Sequence, residues 1–442
     1  MTAKPQILRT QAEQDLIRQF EERFSDDSDG IGQLRDDAMA ELRQNGLPHR
    51  RVEAYKYTDL KSIFGSVPEV ADRPSEDAAR TALEAAGMWG ETPRHRIVFA
   101  DGYYFPSLSA SGVAGLTVGG VAAGLAAGED LTGRIAQMRP EQADPALDLN
   151  TAFMVDGVMV TIGADFDPAM PIELVFVSTL GEPRAQYVRS TIAVEDGAEA
   201  MILETHMGRD GIAAHSNVVF EAAIGDKAKA TWIKVQQCGS DALHLGTTLS
   251  RIGGEAAFDH FIFTVGSKLS RSQSFLTFAD EGSEANLRGV TMLRDRNHAD
   301  VTLMVDHAVP ECNSQERFKA VIDDRAKGVF QGKIIVRPDA QKTDGQMMTQ
   351  TLLLSDDAQV ANKPELEIFA DDVQCAHGAT TGQIDEDLLF YLMARGIPEE
   401  EARTLLVLAF VGETIEEIGN DDLADRLEAL SRVWLLGEEA ET

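Results

Sequence analysis

The chain has 442 residues, 43% hydrophobic and 26% charged, as expected of a folded protein of roughly three domains. Its net charge of −33 argues against nucleic acid or an anionic membrane as partner, since both need clustered Lys and Arg; solubility is the simplest role for so acidic a surface. Three scattered cysteines, Cys238, Cys312 and Cys375, with no CxxC pair, exclude a disulfide scaffold and a self-contained zinc site, and suit reduced thiols in the cytoplasm.

The opening stretch MTAKPQILRTQAEQDL lacks the apolar run of a secretory signal. AEQDLIRQFEERF then places Leu16, Phe20 and Phe24 on one helical face. IGQLRDDAMAELRQNG repeats that period with Leu34, Met39 and Leu42, and stops at Gly46 with Pro48 beyond. A third helix is expected over 75–86. Before it lies RRVEAYKYTDLKSIFG, basic and aromatic in an acidic chain. From Arg96 the period changes: RIVFADGYYF reads as two strands around a turn. The uncharged stretch from Phe105 to Gly128 is too rich in Gly and Ser for a membrane span, and reads as a strand, a turn and a short helix near Val121–Leu125.

From Ile172 onward short runs rich in Val, Ile, Phe and Thr dominate, among them IELVFVS, SNVVFEAAI and FDHFIFTV. Turns bearing Gly197, Gly225, Gly254 and Gly282 follow one another at 28, 29 and 28 residues. IDDRAKGVFQGKIIV and LSDDAQVANKPELEI read as looser copies. So even a period in β sequence predicts stacked coils with more than one strand each, one continuous parallel stack from about Arg96 to Gly382; a β-sandwich is the alternative. After Gly382 helices return. Asp385 caps one containing Leu388, Leu389 and Leu392, ending at Arg395-Gly396. Pro398 and Glu399, Glu400 and Glu401 open a second, which carries Leu405 and Phe410. The third holds Leu423, Leu427, Leu430 and Trp434, and a polar tail expected to fray follows it. The expected organisation is mainly β: an N-terminal helical domain over 1–95, a parallel β-helix over 96–382 and a C-terminal helical domain over 383–442.

Chemistry-bearing motifs are few. Gly328–Lys333 is one residue short of a phosphate loop and leads into a strand. His206, His215, His244, His260, His298 and His307 read as isolated structural or surface histidines. One run differs: ELEIFADDVQCAHGATTG holds Cys375 and His377 two apart, so that in a strand both project to one face and can meet one metal ion. Two ligands do not close a site, and the rest must come from elsewhere in the fold or from a partner chain.

The stretch from about Phe318 to Glu417, with VFQGKIIV, AQKTDGQMMTQTLLLS, KPELEIFADDVQCAHGATTG and LFYLMARGIPEEEA, resembles the shared C-terminal region of the SufB/SufD family of iron–sulfur cluster assembly proteins. RRVEAYKYTDL is similar to the family's early signature, with Tyr55 where Trp is commoner. The modest length, three cysteines and CAHGAT form resemble the SufD branch. The resemblance implies a right-handed β-helix and a scaffold subunit without catalytic turnover. It implies SufB and the SufC ATPase as partners, and a second copy of this chain in place of SufB when SufB is absent. The implied cofactor is a transient iron–sulfur cluster shared with SufB, with no nucleotide bound by this chain itself. It places His377 at the SufB interface, in iron acquisition and cluster formation, with Cys375 beside it as ligand or as packed thiol. It also implies that SufC docks on the C-terminal helices through Phe390, Leu392, Arg395, Gly396, Ile397, Glu401, Leu405 and Phe410. On the residues alone, packing of that apolar set within the chain is the favoured reading, and it is the resemblance that turns it toward a partner.

A cytoplasmic β-helix enzyme acting on a carbohydrate through Asp371 and Asp372 is the other function to weigh. Neighbours on a strand face opposite ways, which counts against that pair flanking one bond.

Overall fold

The computed structural model describes residues 9–24 and 30–437; residues 1–8 and the polar tail from 438 lie outside the described residues. Its nineteen described strands run in chain order. The first five are β1 (His95–Ala100), β2 (Tyr103–Tyr104), β3 (Leu116–Gly120), β4 (Val158–Ile162) and β5 (Ile172–Val177). Next come β6 (Ala185–Val194), β7 (Glu199–Met207), β8 (His215–Ile224), β9 (Lys229–Gln237), β10 (Leu243–Ile252), β11 (Ala257–Val265) and β12 (Leu269–Phe278). The last are β13 (Glu284–Leu293), β14 (His298–His307), β15 (Asn313–Ile322), β16 (Lys327–Val336), β17 (Asp344–Leu353), β18 (Gln359–Ile368) and β19 (Gln374–Gly382).

From β4 on, each coil contributes one strand to each of two facing sheets, so that odd strands stack on odd and even on even, all parallel. The result is a two-sheeted β-solenoid of about eight turns. Side chains at alternate positions meet between the sheets, where Val218, Phe220, Trp232, Phe258, Phe278, Val301, Phe318 and Ile334 belong to one continuous core.

The turn period has a simple origin. Gly197, Lys227, Glu255, Gly282, Glu311 and Lys342 occupy the same left-handed corner of successive coils, with φ between 53° and 74°. Gly197 and Gly282 sit in that position itself, whereas Gly225 and Gly254 lie one or two residues earlier in the same turn. The four expected glycines therefore share one corner but not one position in it. The looser copies belong to the opposite corner, where Asp324, at φ 50°, joins β15 to β16 and Asp356-Asp357 lie between β17 and β18.

The stack is not continuous from Arg96. β1 and β2 form the expected antiparallel pair, β3 pairs antiparallel with β4, and two helices interrupt the chain before β4. One is the expected short helix, at Val121–Ala126. The other, Pro145–Phe153, was not expected, although Asp144 and Pro145 are a ready cap and first-turn pair. Asn150 of that helix donates to the carbonyls of Val188 and Asn217, 3.0 and 2.9 Å away, riveting it to β6 and β8. These short antiparallel strands close the first end of the solenoid.

Helices cover both outer faces. The N-terminal helices α1 (Gln11–Arg23) and α2 (Gly32–Asn45) bury Leu16, Phe20, Met39 and Leu42 with Tyr187, Leu245 and Leu269 of the even sheet. Thr10 and Glu13 form a reciprocal capping box at the start of α1. The third expected helix is Glu76–Glu84, capped by Ser75. The C-terminal helices Glu386–Ala394, Glu399–Ile415 and Asp421–Leu436 pack Val407, Val411, Leu423 and Leu427 on Ile233, Phe263, Val290 and Val321 of the odd sheet. Among the described residues no helix is long and apolar enough to cross a membrane.

Of the six strand histidines, His206, His244, His260 and His307 are buried and His215 and His298 half-buried. Burial pushes His215, His260, His298 and His307 down to about 4. The folded protein therefore binds fewer protons than the unfolded chain between pH 6.5 and 4, and stability falls as the pH drops through that window, by about 1.4 kcal/mol per pH unit for each histidine. Urea unfolding at pH 7 and pH 5 is expected to show this loss, and His260→Gln to reduce its slope.

Candidate functional site

The far end of the solenoid is built differently from the first. β18 and β19 are the last strands of their sheets, each hydrogen-bonded on one side, to β16 and β17. They are ten and nine residues long, and β19 is exposed over most of its length. Ile368 and Phe369, at the turn between them, are 41% and 60% exposed. Long unpaired edges of this kind are ready for strand addition.

Cys375 and His377 sit on β19 and do share a face. Register fixes which one: Cys375 stands over Gly345 and Ser314, and His377 over Met347 and Glu316. Ser314, Met347 and Glu316 are buried between the sheets, so both β19 residues point along the solenoid's interior at its open mouth. Cys375 is half-buried and packs on the interior core, its sulfur leaning toward the gap left by Gly345. Burial pushes its thiol up; a backbone hydrogen bond at Gly345 pulls against this, and the charges of Asp344 and Glu316 add to the rise. His377 is exposed at the mouth and borders a groove on the outer face of the odd sheet that continues past Met348, Gln350 and Lys319 to Glu413 and Glu417 on the C-terminal helices. Among the described residues no three His, Cys, Asp or Glu side chains are grouped to hold a metal ion by themselves.

Glu316 was missed at the sequence level. It is fully buried, and among the described residues neither carboxylate oxygen has a hydrogen-bond partner of normal geometry. Burial pushes its carboxyl up to about 8, with Ser314 pulling weakly the other way. Phe318 and Ile322 carry the signal that could have found it: they fix the inward phase of β15, and Glu316 falls on that phase. Asp371 and Asp372 lie in the exposed turn before β19, not on a strand. A second interior polar group lies mid-stack. There Glu204 accepts from Trp232 at 2.9 Å and pairs with Lys234 at 3.1 Å and with His206 at 2.6 Å. Burial acts to raise its carboxyl, but Lys234 and His206 outweigh it and hold the group at about 2.

The basic stretch before the third helix is a strap across the outer face of the even sheet. Tyr55 is fully buried, its ring 4.2 Å from the Arg271 guanidinium and its hydroxyl donating to Asp144 at 2.8 Å. Arg271 pairs with buried Asp300, which also accepts from Thr58. Lys327 donates to the Tyr57 carbonyl at 2.9 Å, and Glu53 meets Lys363 of β18 at 2.6 Å. The strap thus touches every even strand from β12 to the open end.

The proposed docking residues divide. Leu392, Ile397 and Phe410 are half-buried and pack toward the odd sheet, with Lys319 over the Phe410 ring at 4.7 Å. Phe390 is 72% exposed and Leu405 39%; Arg395, Gly396 and Glu401 are exposed with them. Leu388, Tyr391 and Met393 extend this apolar face, although the sequence reading had not included them.

A family profile described as "SUF system FeS cluster assembly, SufBD core domain" matches residues 176–410, and a "SufBD protein N-terminal region" profile matches residues 10–71. The chain belongs to the SufB/SufD family. An iron–sulfur cluster assembly SufBD family protein of Synechocystis is 31% identical over 88% of this chain and 87% of its own length. The iron–sulfur cluster assembly protein SufD of Escherichia coli is 28% identical over 88% of this chain and 89% of itself. A chloroplast protein of Arabidopsis thaliana, ABCI7, is 28% identical over 90% of this chain and 84% of itself. The core profile spans the solenoid from β5 to the second C-terminal helix, β18 and β19 included, and the N-terminal profile spans α1, α2 and the strap.

Proposed function

We propose that this SufB/SufD family member is a SufD-type scaffold subunit: it pairs with SufB at the open end of the solenoid and binds a SufC-type ATPase on its C-terminal helices. The cargo is iron and sulfide, assembled into a cluster where His377 faces SufB. The observation that carries this reading is the asymmetry of the solenoid: short antiparallel strands close one end, while the other presents two long unpaired strands with Cys375 and His377 at its mouth. A thiol and an imidazole are suitable donors for iron, and a chain that brings two ligands needs a partner to complete the shell. SufB supplies that partner in this reading, and a second copy of the chain takes its place when SufB is absent. The cluster is held transiently and handed on, so the chain turns over no substrate of its own. A scaffold of this kind works inside the cytoplasm.

His377→Ala is expected to lower the iron retained by the anaerobically reconstituted complex of this chain, SufB and SufC about tenfold or more, with no change in urea midpoint, because it removes a ligand and no buried apolar surface. Wild-type iron and sulfide content in the variant complex would overturn the assignment. Cys375→Ser separates the roles of its neighbour: an equal loss marks a ligand, a mild one a packed thiol.

A further inference from the structure

A carboxylate with no partner inside an apolar core is costly, and native structures keep one where an ion or a reaction needs it. Glu316 is such a group, two strands below the open mouth. We propose that Glu316 is a further site residue, the buried carboxylate that draws a divalent cation inward to Cys375 and balances its charge. This rests on the reading of the open end as the iron-handling site, and adds to it an interior destination.

Four observations support it. Glu316 shares the inward column of Met347 and His377, so it faces the same interior space as the residues at the mouth, with roughly 10 Å between the β15 and β19 backbones. The neighbouring column holds a glycine, Gly345, between Ser314 and Cys375, so β17 contributes no side chain there, and the space over it is shared by the Cys375 sulfur and the Ile334 side chain of the opposite sheet. The residue over Glu316 is Met347, whose sulfur reaches across to Gly332 of the opposite sheet, an unbranched and flexible side chain that can move aside. Mid-stack, Glu204 has Lys234 as its counter-charge, whereas Glu316 has no cation paired with it among the described residues. As a divalent cation enters, the Cys375 thiol and the Glu316 carboxyl each release their proton to solvent, and the thiolate, carboxylate and cation are then neutral together, the condition under which a protein interior accepts charge. Oxygen and sulfur donors together suit Fe2+ and its spectroscopic substitute Co2+, and the remaining positions are left to His377, solvent or the partner chain.

The test is anaerobic titration of the full-length chain with Co2+, reading affinity and the thiolate-to-cobalt charge-transfer absorption, for wild type, Glu316→Gln, Glu316→Met, Cys375→Ser and His377→Ala. Glu316→Gln is expected to unfold in urea no earlier than wild type, since it removes a buried unpartnered carboxylate, yet to bind Co2+ tenfold or more weakly. A structural role alone predicts the reverse, lost stability with unchanged affinity. Glu316→Met serves the same comparison if the Gln variant does not fold. Wild-type affinity in a folded Glu316 variant, with Cys375→Ser impaired, overturns the inference and leaves the open-end reading standing. If Cys375→Ser and His377→Ala also bind as wild type does, or if wild type shows no saturable binding, both fall.

Discussion

Phe390→Asp is expected to weaken binding of a SufC-type ATPase about 100-fold while leaving the chain's own stability unchanged. Phe390 is 72% exposed on the helix Glu386–Ala394 and lies beside exposed Leu388, Tyr391 and Met393. Exposed aromatic and aliphatic side chains of this kind are the usual anchors of an interface, and a carboxylate placed among them must be desolvated on docking. Phe410→Ala gives the contrast. That ring is half-buried, packs toward the odd sheet and carries Lys319 above it, so its loss is expected to lower the unfolding midpoint before it affects docking. Calorimetric titration with the ATPase, alongside thermal unfolding of each variant, separates the two. Equal affinity of Phe390→Asp and wild type would remove this face as the dock.

The second large effect concerns the strap. Arg271→Ala is expected to cost about 3–5 kcal/mol, because it leaves the buried Asp300 carboxylate without its cation. Arg271 and Asp300 are both essentially inaccessible, and among the described residues Thr58 and Thr302 remain as donors to that carboxylate. The same change removes the cation over Tyr55 and the donor to the Ala54 carbonyl, 3.0 Å away. The strap should therefore loosen along its length, with faster proteolysis near Tyr55 as a second readout. Guanidinium unfolding measures the first effect, and a loss below about 1 kcal/mol would show that the pair contributes little net stability.

How much of this the sequence carried follows from what each feature depends on. The solenoid was legible because corner residues recur at each coil, and strand alternation placed Cys375 and His377 on one face. The position within the corner was not legible, because Lys227 and Glu255 adopt the left-handed conformation that a sequence reader assigns to glycine. The helix Pro145–Phe153 lay in a stretch without long apolar periodicity, and its burial depends on Asn150 reaching carbonyls of strands 38 and 67 residues away. Glu316 was hidden for a related reason. In NSQERFKAVI a glutamate reads as solvent-facing until Phe318 and Ile322 set the phase. The strap's basic residues stood out in an acidic chain, but it is held through Ala54, Thr58 and Glu53, whose partners Arg271, Asp300 and Lys363 lie more than two hundred residues on. The apolar C-terminal helices showed a surplus, yet the split into a packed and an exposed part required the odd sheet beneath them.

Backbone hydrogen exchange of the chain, dilute and alone and then with SufB, bears most directly on the open end as the pairing surface. Amides of β18 and β19 should exchange rapidly in the free chain and become protected with SufB bound, while β1 to β3 at the closed end stay as they were. Protection that appears at β1 to β3, or no change at β19 in a complex that has formed, would contradict the account.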